Sequence, residues 1–268
     1  MIIGTLGPQG SFSEKAAKQW NNEAKLHYYD DIFDTVDALL RNEVDYSIVP
    51  IENSIEGSIT LTLDLLMEQQ LIITGEVIVQ IEHCLLSIGK RHEIKVIMSI
   101  PQALSQCKKY IKKNFKKIEV RSTLSTSHAA KLASESKEIA AIASRESAMI
   151  YGLEILDENI QDMNENFTRF IVIGKAVPPP TGNDNTSLIV YLEKNRPGAL
   201  YEILGEFANK GIDLTKIESR PTKKALGDYL FYIDLKGHIE DRIIKDALGK
   251  VKGKVGMLKI LGSYPAAK

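Results

Sequence analysis

Only two cysteines occur in 268 residues, Cys84 and Cys107, in the apolar contexts "HCLLSI" and "ALSQC", and no CxxC is present. Such a pair suggests reduced core thiols of a reducing compartment, not a disulfide framework. The five histidines, His27, His83, His92, His128 and His238, show no metal-ligand spacing and HExxH is absent, so no metal is expected. A GxSxG elbow is missing, which removes one common way of exposing a nucleophilic serine. The glycine turn "GPQGSFSEKA" lacks the lysine of a phosphate loop and the third glycine of a dinucleotide fingerprint, so no nucleotide cofactor is expected. Charge of one sign is also missing. The 34 Lys and Arg stand against 35 Asp and Glu, a formal net charge of −1, which offers no general attraction to nucleic acid or an anionic membrane. No apolar run approaches the length that spans a bilayer, and the opening "MIIG" is too short for a signal-peptide core, so a soluble cytoplasmic protein is expected.

What is present is enough apolar residue, 44% of 268, for two domains, one of which can itself be split. From Ile2 onward β-rich runs alternate with helical patterns: "IIGTL" with "SEKAAKQWN", "KLHYY" with "IFDTVDALLRN", "DYSIVPI" with "SITLTLDLLMEQ". That alternation predicts a mainly parallel sheet covered by helices. A long extended stretch, "LIITGEVIVQIEHCLLSIG", leads to a second series: "KVIMS", the helix "PQALSQCKKYIKKN", "IEVRS", the helix "TSHAAKLASES", "IAAIAS" and "ESAMIYGL". Two α/β series joined this way predict two lobes with a cleft, where ligands meet the carboxyl ends of strands. Residues 175–185 carry three consecutive prolines and read as a linker. Beyond it the order becomes βαββαβ, a ferredoxin-like module over residues 186–268, with Pro197 expected to start its first helix and Gly211 to end it.

Polar residues just past strands are the candidates for chemistry. In "IVPIENSIEGS", Glu52 and Asn53 either make a helix-capping turn before a helix starting near Ser58 or point into the cleft. Ser11 or Ser13 caps the helix after the first glycine turn, and Ser125 with Thr126 opens an alanine-rich helix; free N–H groups at both helix starts can hold a carboxylate. Ser99 precedes Pro101, and Gln106 follows one to two turns into that helix, where a lone glutamine is usually solvated. In "NFTRFIVIG", a half-buried strand puts Thr168 and Phe170 on one face and Phe167 and Arg169 on the other. The set of hydroxyls, amides, one carboxylate and one arginine suits binding and polarising better than covalent attack.

Taken in order, "GPQGSFSEKAA", "VPIENSIEGS", "PQALSQC", "STSHAA", "IASRESAMIYGL", "NFTRFIVIG" and "NRPGALYEILGEFANKGIDLTKIESRP" resemble prephenate dehydratase with a C-terminal ACT regulatory domain, over nearly the whole chain. Two departures stand out: Ile100 where the family commonly has a histidine, and Ser11 in place of a usual threonine. The chain begins directly at the first strand and so does not resemble the forms fused to a chorismate mutase.

The resemblance implies a dehydratase domain over residues 1–174 with lobes of the periplasmic-binding-protein type, and an ACT domain over residues 186–268. It implies decarboxylating dehydration of prephenate to phenylpyruvate in phenylalanine biosynthesis. Thr168 is then the donor to the leaving oxygen, with Glu52 and Asn53 as its catalytic neighbours. Arg169, Phe170, Ser99, Gln106, Ser125, Thr126 and Ser11 line the substrate. Glu52 either orients Asn53 or a water, or binds the substrate hydroxyl. L-Phenylalanine as effector would sit on Asn195, Pro197, Gly198, Ala199, Leu200, Glu218, Ser219, Arg220 and Pro221, across a homodimer or homotetramer built through the ACT domain. Two other readings stay open on residues alone: a non-catalytic two-lobed ligand sensor, and the same chemistry on arogenate. The sensor has no need of Thr168, Arg169 and Phe170 beside Glu52 and Asn53.

Overall fold

A computed structural model describes residues 1–192, 196–223 and 227–267. Its first series alternates as the apolar pattern requires. Strand β1 (Ile2–Leu6) leads to helix α1 (Phe12–Trp20), β2 (Lys25–Tyr29) to α2 (Ile32–Leu40), and β3 (Tyr46–Asn53), through the short β4 (Gly57–Ser58), to α3 (Thr60–Glu68). Local side chains set where the first two helices begin. Ser11 accepts from the Glu14 N–H and Asp31 from the Asp34 N–H, each satisfying a donor that a helix start would otherwise leave open. β1 pairs in parallel with both β2 and β3.

The long extended stretch divides into β5 (Ile72–Gln80) and β6 (Cys84–Ser87). The second series is β7 (Val96–Ser99), α4 (Pro101–Gln106), α5 (Lys108–Asn114), β8 (Glu119–Ser122), α6 (Thr126–Ala133), β9 (Ile139–Ala143), α7 (Arg145–Tyr151), β10 (Glu154–Asp157) and β11 (Phe167–Gly174). Strand order is β2-β1-β3-β11-β5 in the first sheet, with β4 on β3, and β10-β6-β9-β7-β8 in the second.

Three features of these two series depart from the sequence expectation. The second sheet is mixed: β7 is parallel to β8 and β9, whereas β6 is antiparallel to β9 and β10. The expected single helix from Pro101 is two, because the backbone at Cys107 leaves the helical region (φ −111°, ψ 17°) while its side chain stays buried with Ala103 and Ile111 in one apolar cluster. Glu52 and Asn53 are not a helix cap. They end β3 and pair with Ser58 and Gly57 of β4, and the helix starts later, at Thr60.

The C-terminal module is β12 (Asp184–Tyr191), α8 (Ala199–Ala208), β13 (Leu214–Pro221), β14 (Tyr229–Lys236), α9 (Arg242–Lys252) and β15 (Met257–Pro265), an antiparallel sheet of order β13-β14-β12-β15. Ile244, Ala247, Leu248 and Val251 recur at the spacing of one helix face and bury α9 against Leu188, Val190, Ile233 and Leu235 of the sheet. Phe207 of α8 is fully buried in the same core, and truncating such a ring to alanine costs roughly 3–5 kcal/mol. Pro197 does not start α8. The Ala199 N–H bonds the Arg196 carbonyl at 3.1 Å and Gly198 has φ +85°, so Pro-Gly fills the two central positions of a type II turn that delivers the chain to the helix.

By internal contacts the chain forms two units, residues 1–63 with 77–170, and residues 64–76 with 171–268. The end of α3 thus belongs with the C-terminal sheet. Within that second unit Lys259 donates to the carbonyls of Leu66, Met67 and Gln69 at 2.8, 2.9 and 2.6 Å, closing the C-terminus of α3 with a positive charge. No helix among the described residues is long and apolar enough to cross a membrane.

Candidate active site

The end of β3 and the start of β11 meet side by side in the first unit. The Ser54 N–H bonds the Phe167 carbonyl at 2.8 Å, and the Phe167 N–H bonds Ser54 Oγ at 3.0 Å. This register brings together residues 115 apart in the chain: Asn53 Nδ2 donates to Thr168 Oγ1 at 2.9 Å. It also donates to Asn166 Oδ1 at 2.8 Å and to the Phe167 carbonyl at 3.2 Å. The Asn53 Oδ1 accepts from the N–H groups of Ile55 and Glu56 at 2.9 and 3.0 Å, an Asx-type turn that locks the amide.

The neighbouring pair forms a separate contact. Arg169 stands 4.0 Å from the Glu52 carboxylate, with 16% and 37% of the two side chains exposed. Along β11, Thr168 and Phe170 are buried whereas Phe167 is exposed and Arg169 half-buried, so the face assignment read from the sequence agrees with the structure. An ion pair this long and this wet contributes at most about 1 kcal/mol, so its use is to offset and orient charge more than to hold the fold.

Gln106, the last residue of α4, is not solvated. Its Oε1 accepts from Asn166 Nδ2 at 3.0 Å and lies 3.1 Å from His83 Nε2, and its Nε2 faces the Glu56 carboxylate at 3.4 Å. His83 is 2% exposed, its ring meets the edge of Phe12 at 5.8 Å, and burial pushes its pKa below the ordinary value. Asn166 is fully buried. Neither residue stood out in the sequence. The only signal was the position of Asn166 two residues before Thr168.

The remaining expected residues have local duties. Ser11 Oγ donates to the Leu6 carbonyl at 2.8 Å while capping α1. Ser125 caps α6 through the His128 N–H at 2.9 Å, and Thr126 is the buried first residue of that helix. What these two helix starts can offer a carboxylate is therefore backbone N–H, not hydroxyl. Ser99 and Phe170, expected at the substrate, are packed inside instead. Ser99 is fully buried and donates to the Ile142 carbonyl at 2.6 Å, and Phe170 is 2% exposed, because each occupies the inward position of an apolar strand.

The first glycine turn has a clear steric purpose. Gly10 has φ +83°, its carbonyl accepts from Ser144 and Ser147 of the α7 start at 2.8 and 3.0 Å, and a Cβ there would meet Ser147 Oγ at 2.8 Å. The buried Glu14 accepts from the Gly10 N–H at 2.5 Å, and it helps burial to push the Tyr28 hydroxyl up to about 12. Among the described residues no group of three or more His, Cys, Asp or Glu side chains could hold a metal ion.

In the second unit, the expected effector residues are only partly gathered. Asn195 lies outside the described residues. Pro197, Gly198, Ala199 and Leu200 make the type II turn and the first residues of α8. In β13, alternation sends Ser219 to the helix-covered face opposite Phe231, with Pro221 beside it. Glu218 and Arg220 go to the other face, where Arg220 bridges to Asp64 at 3.4 Å. Glu218 and Ser219 therefore point to opposite faces, whereas Arg220 and Pro221 both line a pocket shared with Asp64, Met67 and Tyr232.

Residues 3–178 match the prephenate dehydratase family model, and residues 186–253 match that of the ACT domain. A prephenate dehydratase of Methanocaldococcus jannaschii is 43% identical over 98% of this chain and 97% of its own. The solved prephenate dehydratase of Arthrobacter aurescens, in complex with L-Phe, superimposes with a TM-score of 0.90 at 34% identity, covering 99% of this chain and 90% of that one. GqqA, described as a novel type of quorum quenching acylase, has the same TM-score of 0.90 at 30% identity, covering 99% and 98% of the two chains. With a relative 43% identical along nearly the whole of both chains and its two parts matched in order, the chain belongs to the prephenate dehydratase family, an enzyme whose dehydratase domain is followed by an ACT domain.

Proposed function

We propose that the chain converts prephenate to phenylpyruvate, water and carbon dioxide, as a step of phenylalanine biosynthesis in the cytoplasm. The observation that carries this reading is the hydrogen bond from Asn53 to Thr168 Oγ1. Because that oxygen is already accepting, the hydroxyl hydrogen is left to point at a substrate oxygen. In the reaction the ring carboxylate leaves as carbon dioxide and its bonding pair enters the ring. The ring aromatises as the carbon–oxygen bond breaks, and the departing hydroxide takes one proton from the solvent to become water. Thr168 stabilises the charge growing on that oxygen, a donor fixed before the reaction begins. Threonine is too weak an acid to lead by its own pKa, so positioning is what it contributes.

Prephenate is a dianion, and Arg169, on the other face of β11 from Thr168, supplies positive charge beside that strand, its field moderated by Glu52. The helix starts at Ser11 and at Ser125 and Thr126 add N–H donors, and Gln106 borders the same hydrogen-bonded group. An acylase would need its nucleophile beside a base. Thr168 instead receives a hydrogen bond from an amide, which favours polarisation over attack.

The second part of the proposal is feedback by L-phenylalanine, bound where the Arg196–Ala199 turn opens α8 and where β13 exposes its edge. Gly198 caps α8 without a side chain, so the N–H groups of Leu200 and Tyr201, next after the turn-bonded Ala199, are open to a carboxylate. β13 is an edge strand that exposes Ile217, Ser219 and Pro221, which suits pairing with a second copy of the chain in a homodimer or homotetramer. The dehydratase domain is taken as residues 1–174, the linker as 175–185 and the ACT domain as 186–268. The test is incubation of the pure protein with prephenate at neutral pH. Phenylpyruvate is the expected product, and its absence overturns the reading.

A further inference from the structure

The sense of every hydrogen bond around Thr168 can be worked out from groups that have no choice. The backbone N–H groups of Ile55 and Glu56 can only donate, so the atom of Asn53 that faces them is its oxygen, and its nitrogen faces Thr168 and Asn166. The Phe167 carbonyl, which can only accept, lies on that nitrogen side and agrees. Asn166 must then show Asn53 its oxygen, which turns its own nitrogen to Gln106 at 3.0 Å. Gln106 must receive there with its oxygen, and its nitrogen falls toward the Glu56 carboxylate, again in agreement. The last partner on that oxygen is His83 Nε2 at 3.1 Å, which therefore carries a hydrogen. His83 Nδ1 is buried and has no hydrogen-bond partner among the described residues, so a proton there would be a buried donor without an acceptor, which agrees with a neutral ring protonated on Nε2.

Resting on the dehydratase reading, we propose that His83, as the Nε2–H tautomer, and Asn166 are positioning residues: the Ile55 and Glu56 N–H groups set the sense of a hydrogen-bond chain, and Asn166, held through Gln106 by His83, keeps in place the acceptor that steadies Asn53 as it donates to Thr168. The alternative tautomer shows why both ends matter. With its proton on Nδ1, His83 would accept at Nε2, and Gln106 would turn its nitrogen toward it. Gln106 would then lose its acceptance from Asn166, and Asn166 could recover only by flipping. That flip would set two amide nitrogens, of Asn166 and Asn53, against each other, or force Asn53 off the Ile55 and Glu56 N–H groups. A chain of buried amides can satisfy only one consistent sense, and an unsatisfied member costs more than the average bond is worth. The sense found here leaves the Thr168 hydrogen for the substrate. Protonation of His83 would not reverse it, since Nε2 donates in either state.

The test uses nitrogen-15 spectra of histidine-labelled full-length protein, which separate protonated from unprotonated ring nitrogens, with His83→Gln assigning the His83 signals by their loss. Wild type should show His83 protonated on Nε2. Asn166→Asp, which keeps an acceptor for Asn53 but cannot donate to Gln106, should move the proton to Nδ1 as Gln106 turns round, and, since Asn53 keeps its bond to Thr168, should lower kcat about tenfold with little change in KM. His83→Leu should lower kcat about tenfold, the loss of one hydrogen bond of this kind, and His83→Gln, which returns an N–H at nearly the Nε2 position, should restore most of it. A wild-type Nδ1–H tautomer, an unmoved proton in Asn166→Asp, or equal kcat losses in His83→Leu and His83→Gln would overturn the proposal. A wild type that makes no phenylpyruvate would instead overturn the dehydratase reading and leave the tautomer result standing.

Discussion

The Asn53 amide nitrogen stands 2.9 Å from the Thr168 hydroxyl oxygen, and the same amide is held from behind by two backbone N–H groups, those of Ile55 and Glu56. The turn after β3 therefore decides which way a hydroxyl on β11 can point.

If that hydroxyl assists the leaving oxygen, Thr168→Ala loses one preorganised donor and kcat falls on the order of a hundredfold or more. Thr168→Ser keeps the donor and most of the rate. Steady-state kinetics on prephenate check both, and a Thr168→Ala enzyme with near-normal kcat would remove Thr168 from the mechanism.

Arg169 lies 4.0 Å from Glu52, too far to be held by that contact alone. Replacing its planar fork with lysine keeps the charge but loses paired donation to a carboxylate, so Arg169→Lys should raise KM roughly tenfold with kcat and thermal midpoint little changed. A lowered midpoint with the wild-type KM would make the residue structural.

Gly198 sits at φ +85° with nothing within 4 Å of where a Cβ would be. Substitution there acts through the backbone, not through a clash, and a β-branched residue is strongly disfavoured in that region. Gly198→Val should therefore displace the first N–H groups of α8 and abolish phenylalanine binding and inhibition, while turnover without phenylalanine persists. Calorimetric titration beside activity curves is the check. Inhibition as strong as in wild type would place the effector elsewhere.

Lys259 spends its three donors on the carbonyls of Leu66, Met67 and Gln69. Lys259→Met leaves the end of α3 without that charge and should destabilise the protein by about 2–3 kcal/mol, the scale of hydrogen bonds to a charged group. Urea unfolding should show a lower midpoint with an unchanged slope. An unchanged midpoint would mean that solvent replaces the lysine at no cost.

Local chemistry was legible without the structure. The spacing of Ile244, Ala247, Leu248 and Val251 marks one face of α9, and Ser11 and Ser125 cap the helices they precede. These follow from the helical period and from nearby donors, which depend only on residues a few positions apart. The βαββαβ order of the C-terminal module and the faces of "NFTRF" were legible for the same reason, since strand alternation is a local property. The Pro197-Gly198 pair was readable as punctuation, but whether it began the helix or made a turn before it depended on the backbone angle at Gly198.

The site itself depended on long-range placement. Asn53 and Thr168 are separated by 115 positions, Asn166 and Gln106 by 60, and Gln106 and His83 by 23. Taken singly, each of these side chains has an ordinary explanation, a cap, a solvated amide or a core histidine. The sequence alone determined most of the elements and the family, because periodicity, capping and motif order are carried along the chain. The tertiary structure decided which amides share a hydrogen bond and in which direction, because donors and acceptors must be matched through space once water is excluded.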